Sequence, residues 1–119
     1  MALGAAGCVV AYPDIVWSQM VAEILGNSST NQGRQQFTRL TIGTAEDDLS
    51  FDRQGRVVVP QKLREAAGLK EKVLVVGCLD RLEIWSQSEW QKYEADPEGY
   101  GKGRREAVER AHRQMTGRE

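Results

Sequence analysis

A mixed α+β fold, short strands with flanking helices, is expected for this 119-residue chain on three grounds. Residues 51–69 run through a turn, an apolar strand and a fully punctuated short helix. Two further apolar runs, Val73–Gly77 and Arg81–Trp85, follow with only a brief polar break between them. Outside this stretch, apolar residues recur at helical spacing in Asp14–Leu25 and Arg104–Met115.

Taken in order, Val9–Tyr12 reads as a strand and Asp14–Leu25 as an amphipathic helix with Ile15, Trp17, Val21, Ile24 and Leu25 toward the core. Gly26–Thr30 is a polar loop, and Asn31–Leu40 a second helix with Phe37 and Leu40 on one face. Strands are expected at about Asp48–Asp52, Arg56–Val59, Lys72–Gly77 and Arg81–Trp85, and helices at Gln61–Ala67 and Ser88–Ala95. Asp52 and Gly55 bracket a tight reversal in which glycine takes a positive φ. Pro60 suits the first turn of a helix, Gly68 its left-handed C′ position, and Leu69 the hydrophobic contact of a Schellman ending. Asp96–Gly103 reads as a flexible linker, and Arg104–Met115 as a helix with Val108, Ala111 and Met115 on one stripe. Residues after that hinge are expected to stand apart from the core.

The chain also repeats itself. Residues 8–17 align with residues 81–90 at an offset of 73. Each copy is a strand ending in an aromatic (Tyr12, Trp85), then a helix cap (Asp14; Ser86 or Ser88), then a tryptophan five residues after the aromatic (Trp17, Trp90). The counterpart of the Asp52–Gly68 motif in the first copy would fall before residue 1. Either the chain is a truncation, natural or from a misassigned start, or Met1–Ala6 replaces a lost half.

Composition places the chain among soluble globular proteins, with 40% hydrophobic and 28% charged residues. The net charge of −1 gives no global attraction to nucleic acid, but charge is unevenly spread. Between Asp52 and Lys72, Arg53, Arg56, Lys62, Arg64, Lys70 and Lys72 outnumber Asp52, Glu65 and Glu71. Gly101–Glu119 is basic to the same degree, and acid gathers at Glu46, Asp47 and Asp48. Cys8 and Cys78 lack Cys-x-x-Cys spacing and read as buried reduced thiols of a cytosolic protein. No membrane segment or export signal is found.

The pattern Asp-x-x-Gly-Arg-Val-x-x-Pro-x-x-Leu-Arg-x-x-x-Gly-Leu, from Asp52 to Leu69, resembles the signature of SpoVT/AbrB-type DNA-binding domains. The continuation through Val73–Gly77 and Arg81–Trp90 is similar to the second repeat of the MraZ family of bacterial transcriptional regulators. That resemblance implies a swapped-hairpin, AbrB-like, double-split small β-barrel with flanking helices. It divides the chain into 1–25, a remnant of a first repeat (its C-terminal strand and helix); 26–45, a connecting loop and helix; 46–95, a complete second repeat; and 96–119, a Gly-rich linker and basic tail. It further implies a repressor-like, sequence-specific regulator of a division and cell-wall gene cluster, cytoplasmic and nucleoid-associated. Its partners would be double-stranded DNA at promoter repeats and copies of itself in a dimer or a larger ring. A single complete repeat has too few strands to close a barrel, so the missing part is expected from another molecule.

The residues singled out for DNA are Arg53, Arg56, Lys62 and Arg64, held by the turn residues Asp52 and Gly55. Guanidinium forks match phosphate oxygens and the guanine edge. Lys62, Arg64 and Lys70 would contact phosphate, and Arg53 or Arg56 would read base edges. Arg56 takes its role from the family motif. Glu65 stands where the wider AbrB group often has a second basic residue. The alternative for all of these is a solvated charged surface. Asp52 has no histidine or second carboxylate beside it in sequence and reads as a turn-closing group bonded at Gly55 or Arg56. His112, the one histidine, reads as exposed. No catalytic residue, cofactor, metal site or small-molecule substrate is expected. The tryptophans and tyrosines read as core rather than a base-stacking platform. Two other roles fit the residues: an assembly-only remnant with weak DNA binding, and an antitoxin-type regulator, against which the basic tail argues.

Overall fold

The computed structural model describes residues 1–46 and 52–117. Two antiparallel hairpins meet in one four-stranded sheet. Strand β1 (Ala2–Leu3) pairs with β2 (Val9–Ala11), and β3 (Val73–Gly77) with β4 (Leu82–Ser86). β2 and β4 join the hairpins, giving the order β1-β2-β4-β3. The expected helices are present as α1 (Asp14–Leu25), α2 (Gln32–Leu40), α3 (Gln61–Ala66) and α4 (Gln87–Ala95). A fifth, α5 (Lys102–Thr116), ends the described chain.

The register across the sheet centre carries information. Val9 faces Ile84, Val10 faces Glu83 and Ala11 faces Leu82. Under the 73-residue offset, Val10 corresponds to Glu83, so the two repeated strands pair about a local two-fold through that residue pair. The aromatic pairs obey the same relation. Tyr12 and Trp17 lie 5.8 Å apart, and their mates Trp85 and Trp90 lie 5.1 Å apart. Each repeat is thus a strand and a helix whose tryptophan packs back on the strand. The outer strands follow the relation with one residue of slippage: Ala2 and Leu3 flank Val10 and Val9 as Val76 and Gly77 flank Glu83 and Leu82.

Alternation gives the sheet two buried faces. On one, Val9 and Leu63 are fully buried with Ala67, and Met1, Leu3, Val59, Leu69 and Ile84 pack around them. On the other, Cys8, Val10 and Trp85 are buried beneath Trp90, Tyr93 and Tyr100. The aromatics are therefore core, as their repeated spacing implies. Cys8 is buried as expected, whereas Cys78 is only half-buried beside the β3–β4 turn.

Several expectations need correction. In α1 only Ile24 is buried, and Ile15 and Leu25 are 69% and 63% exposed. Among the described residues nothing covers Ile15 and Leu25, so helical periodicity alone does not place them in the core. Asp14 lies inside the first turn of α1, and Pro13 holds the cap position without a side-chain bond. Arg56–Val59 is not a strand among the described residues: Arg56 C=O accepts from Asp52 N–H at 2.8 Å, but no ladder continues from it, and Val58 is 77% exposed. The expected strand at Asp48–Asp52 lies, except for Asp52, outside the described residues.

The segment after Asp96 is likewise not a free tail. Asp96 accepts from the N–H groups of Gly99 and Tyr100, closing a turn where a flexible hinge was expected. Helix α5 then lies against α2 and buries Val108, Ala111 and Met115. Gly33 allows the approach, since a Cβ there would fall inside the backbone of Gln114 and Met115. Asn31 caps α2 at Arg34 N–H and also donates to the Met115 carbonyl at 3.0 Å. Arg104 ties α5 to the sheet, donating to the carbonyls of Gly4 (2.8 Å), Leu3 (3.0 Å) and Leu40 (2.6 Å). His112 is half-buried between Phe37, with ring centroids 5.2 Å apart, and Glu23, at 3.6 Å, rather than exposed.

These contacts make α5 part of the folded unit. Gly33→Ala should overpack the α2–α5 crossing and cost roughly 1–3 kcal/mol. Arg104→Met should cost a similar amount, roughly 1–3 kcal/mol, by leaving part-buried carbonyls without donors. Each should lower the melting temperature by several degrees in a thermal scan, and deleting residues 101–119 should lower it further. An unchanged midpoint for all three would show α5 to be dispensable.

Candidate nucleic-acid interface

The candidate surface is built from one turn and one helix joined by four residues. Asp52 organises the turn. Its Oδ1 accepts from the backbone N–H groups of Gln54 (2.9 Å) and Arg56 (2.8 Å), and its Oδ2 accepts from Arg56 Nε (2.9 Å). The backbone closes in parallel: Gly55 N–H donates to Asp52 C=O at 3.0 Å, and Asp52 N–H to Arg56 C=O at 2.8 Å. Gly55 sits at φ 77°, which a side chain resists. The carboxylate thus bonds Gln54 and Arg56, while Gly55 is held through the backbone.

That set of donors fixes the electrostatics. The Arg56 N–H first, then its guanidinium and the Gln54 N–H, hold the Asp52 carboxyl below the ordinary carboxylate range. Asp52 is therefore ionised at neutral pH, when the turn is fully braced. The Arg56 side chain remains 73% exposed despite its bond to Asp52. Such an exposed pair adds little stability. Its effect is orientation: one edge of the guanidinium is occupied at Asp52, and the direction of the rest is set.

Helix α3 begins at Gln61, so extended chain keeps it within about 17 Å of Arg56. Its ending has the expected geometry. Gly68 has φ 66° and donates to Glu65 C=O, and Leu69 N–H reaches back to Arg64 C=O at 2.8 Å. Leu63 is the buried anchor of the helix. Lys62 and Arg64 lie one position to either side of it, about 100° away around the axis, and both are exposed. Docking Leu63 on Val9 therefore fixes both cations at the surface. Glu65 accepts from Gln61 Nε2 at 3.0 Å on the same helix. Arg53 is exposed in the turn, and Lys70 beyond α3.

Arg104 was read as one basic residue of a tail, but it bonds three carbonyls and is a structural cation. The apolar stripe of α5 was the available signal that this segment packs. Arg81 lies 5.6 Å from the centroid of Tyr12, tying the β3–β4 turn to the start of α1. Cys8 is held inert: burial, with the Glu83 carboxylate adding to it, pushes its thiol up to about 12. Among the described residues no group of three or more His, Cys, Asp or Glu could hold a metal ion. No helix among them is long and apolar enough to cross a membrane.

Comparison with known proteins bears on this surface. Residues 43–111, which include the turn, α3 and both strands of the second hairpin, match the family model described as "MraZ protein, putative antitoxin-like". The chain is 34% identical over 93 residues to the transcriptional regulator MraZ of Acetivibrio thermocellus, covering 78% of this chain and 64% of that one. It is 37% identical over 87 residues to the transcriptional regulator MraZ of Shewanella frigidimarina, covering 73% and 57%. The match to the regulator of the same name from Cutibacterium acnes is 34% over 94 residues, covering 78% and 66%. The chain therefore spans less than two thirds of the length of these relatives. The match of its family model over more than half of the sequence makes this chain a member of the MraZ family.

Proposed function

We propose that the chain is a sequence-specific, DNA-binding transcriptional regulator of the repressor-like kind, acting as an oligomer and without catalysis or cofactor. The observation that carries this reading is the Asp52–Arg56 turn, whose carboxylate orients an exposed guanidinium at neutral pH. Arg53 and Arg56 are assigned to base edges and Lys62, Arg64 and Lys70 to phosphate. The unit that does this is residues 46–95. Residues 1–25 act as the partner half-repeat, 26–45 as the connection, and 96–119 as a basic C-terminal segment packed on α2. Beyond the four-stranded sheet, the finer architecture is a swapped-hairpin, double-split barrel completed by a second molecule. The relatives are named transcriptional regulators, which supports the regulatory role; we assign the target to a division and cell-wall cluster, read from promoter repeats in the cytoplasm and on the nucleoid.

A second reading has its own observation. The outer hairpin exposes Val73 and Val75, and the chain carries one copy of the motif. A protein of that kind could serve assembly alone, with little DNA affinity. Arg56 discriminates between the two readings.

Arg56→Ala should cost on the order of 1–3 kcal/mol in specific DNA binding while leaving the fold intact. Lys62→Ala should weaken all duplexes alike and flatten the salt dependence. Unchanged affinity with Arg56→Ala, measured by fluorescence anisotropy on a promoter duplex, would favour the assembly role. The turn itself predicts a pH signature. Because the folded pKa of Asp52 lies below its unfolded value of about 3.9, its bracing is complete above that value and is lost as pH falls through the lowered one. The amide shifts of Gln54 and Arg56 should therefore be flat above about pH 5 and titrate with a midpoint under about 3.9. A midpoint at or above the ordinary value would contradict the bonding at Asp52.

A further inference from the structure

Gln54 stands between the two arginines assigned to base edges and has no part in that assignment. Gly55 N–H donates to Asp52 C=O and Asp52 N–H to Arg56 C=O, so Arg53, Gln54 and Gly55 form a three-residue loop with glycine at its left-handed position. The backbone of Gln54 is held within that loop. Its N–H donates to Asp52 Oδ1 at 2.9 Å, beside the bond from Arg56 N–H to the same oxygen at 2.8 Å. The side chain is left over: Gln54 is exposed, and among the described residues its amide makes no hydrogen bond. Gln61, at the start of α3, differs in this respect, because its amide is engaged by Glu65 Oε1 at 3.0 Å.

A carboxamide carries an acceptor and a donor side by side. Adenine presents the complementary pair in the major groove, the N6 donor beside the N7 acceptor, so one amide bonds both at once. Guanine offers two acceptors there, which leaves the amide oxygen facing a like group. Arg53 and Arg56 bring cations that attract any phosphate, whereas a neutral amide adds little to sequence-independent attraction. What Gln54 adds is discrimination. Its fixed backbone leaves only side-chain torsions to be ordered on contact.

We infer that Gln54 is a specificity-determining residue that reads an adenine in the major groove. This rests on the reading of the turn as the base-contacting element and names one base that it recognises. Distance sets where the adenine lies. Gln54 and Arg56 are two residues apart, at most about 7 Å of chain, or about two base steps of 3.4 Å. The adenine therefore belongs within about two base pairs of the base read by Arg56.

Selection of bound duplexes from a random-sequence pool by the full chain, followed by sequencing, tests this. The wild type should recover a site with a fixed adenine within about two base pairs of the position whose preference Arg56→Ala removes. Gln54→Ala should lose preference at that adenine alone. It should bind the recovered duplex about 5- to 150-fold more weakly, as one bidentate base contact predicts. The turn should persist in this variant, because Gln54 bonds Asp52 through its backbone N–H, which alanine retains; the amide shifts of residues 54 and 56 report it. Replacing the adenine with 7-deazaadenine, which lacks the N7 acceptor, should weaken the wild type several-fold and leave Gln54→Ala unaffected. Unchanged base preference for Gln54→Ala, equal weakening on every duplex, or indifference of the wild type to 7-deazaadenine would overturn the assignment. If Arg56→Ala still changed the recovered site in that case, the regulator reading would stand without it. Recovery of no site by the wild type would overturn both.

Discussion

Everything in this molecule depends on the pairing of β2 with β4. Val9–Ala11 lie against Leu82–Ile84, and among the described residues no other strand contact joins the two halves. The pairing sets both core faces at once. It places Val9 and Ile84 under α3, and it brings Val10 and Cys8 beside Trp85. The long loop between the halves is closed at an entropic cost that grows only slowly with its length. A fully buried Leu63 contributes about 1.5–3 kcal/mol against that cost, and the aromatic cluster around Trp85 contributes on the other face. The helical pair α2–α5 is a second layer, attached through Arg104 and through the bond from Leu3 N–H to Thr44 Oγ1.

The site inherits its geometry from this arrangement. Because Leu63 must face Val9, Lys62 and Arg64 must face outward, so the burial of one residue determines the display of two. The turn is independent of the core. Its carboxylate bonds two N–H groups and one guanidinium within five residues, so its shape is locally encoded. A rigid local turn beside a helix fixed by packing is a suitable base for forked donors, since little side-chain freedom remains to be lost on binding.

How much of this could be read beforehand follows the range of the interactions. The turn at Gly55 and the Schellman ending at Gly68 and Leu69 are short-range bonds, and the residue types announce them. The inner strands β2 and β4 and the Trp-bearing helices were legible because the repeat states them twice, whereas β1 (Ala2–Leu3), two residues paired to Val9 and Val10, gave no signal of its own. What failed depended on distant partners. Ile15 and Leu25 have core-like periodicity, but among the described residues they stay exposed. Val57–Val59 have strand chemistry, but they join no strand among the described residues. The glycines at 99, 101 and 103 suggested a loose hinge, whereas Asp96 binds the turn and Arg104 reaches carbonyls about a hundred residues away in sequence. At the candidate site, the residue types were visible in sequence. The order of bonds at Asp52 was not, because Gln54, Gly55 and Arg56 all lie within four residues of it along the chain.

The central claim, that the turn and α3 together form the nucleic-acid surface, is tested most directly by amide chemical-shift mapping of the full chain titrated with duplex DNA. The account predicts the largest changes at Arg53–Arg56 and Gln61–Glu65, with α5 nearly silent. Changes concentrated at Arg110 and Arg113, with the turn unmoved, would contradict it.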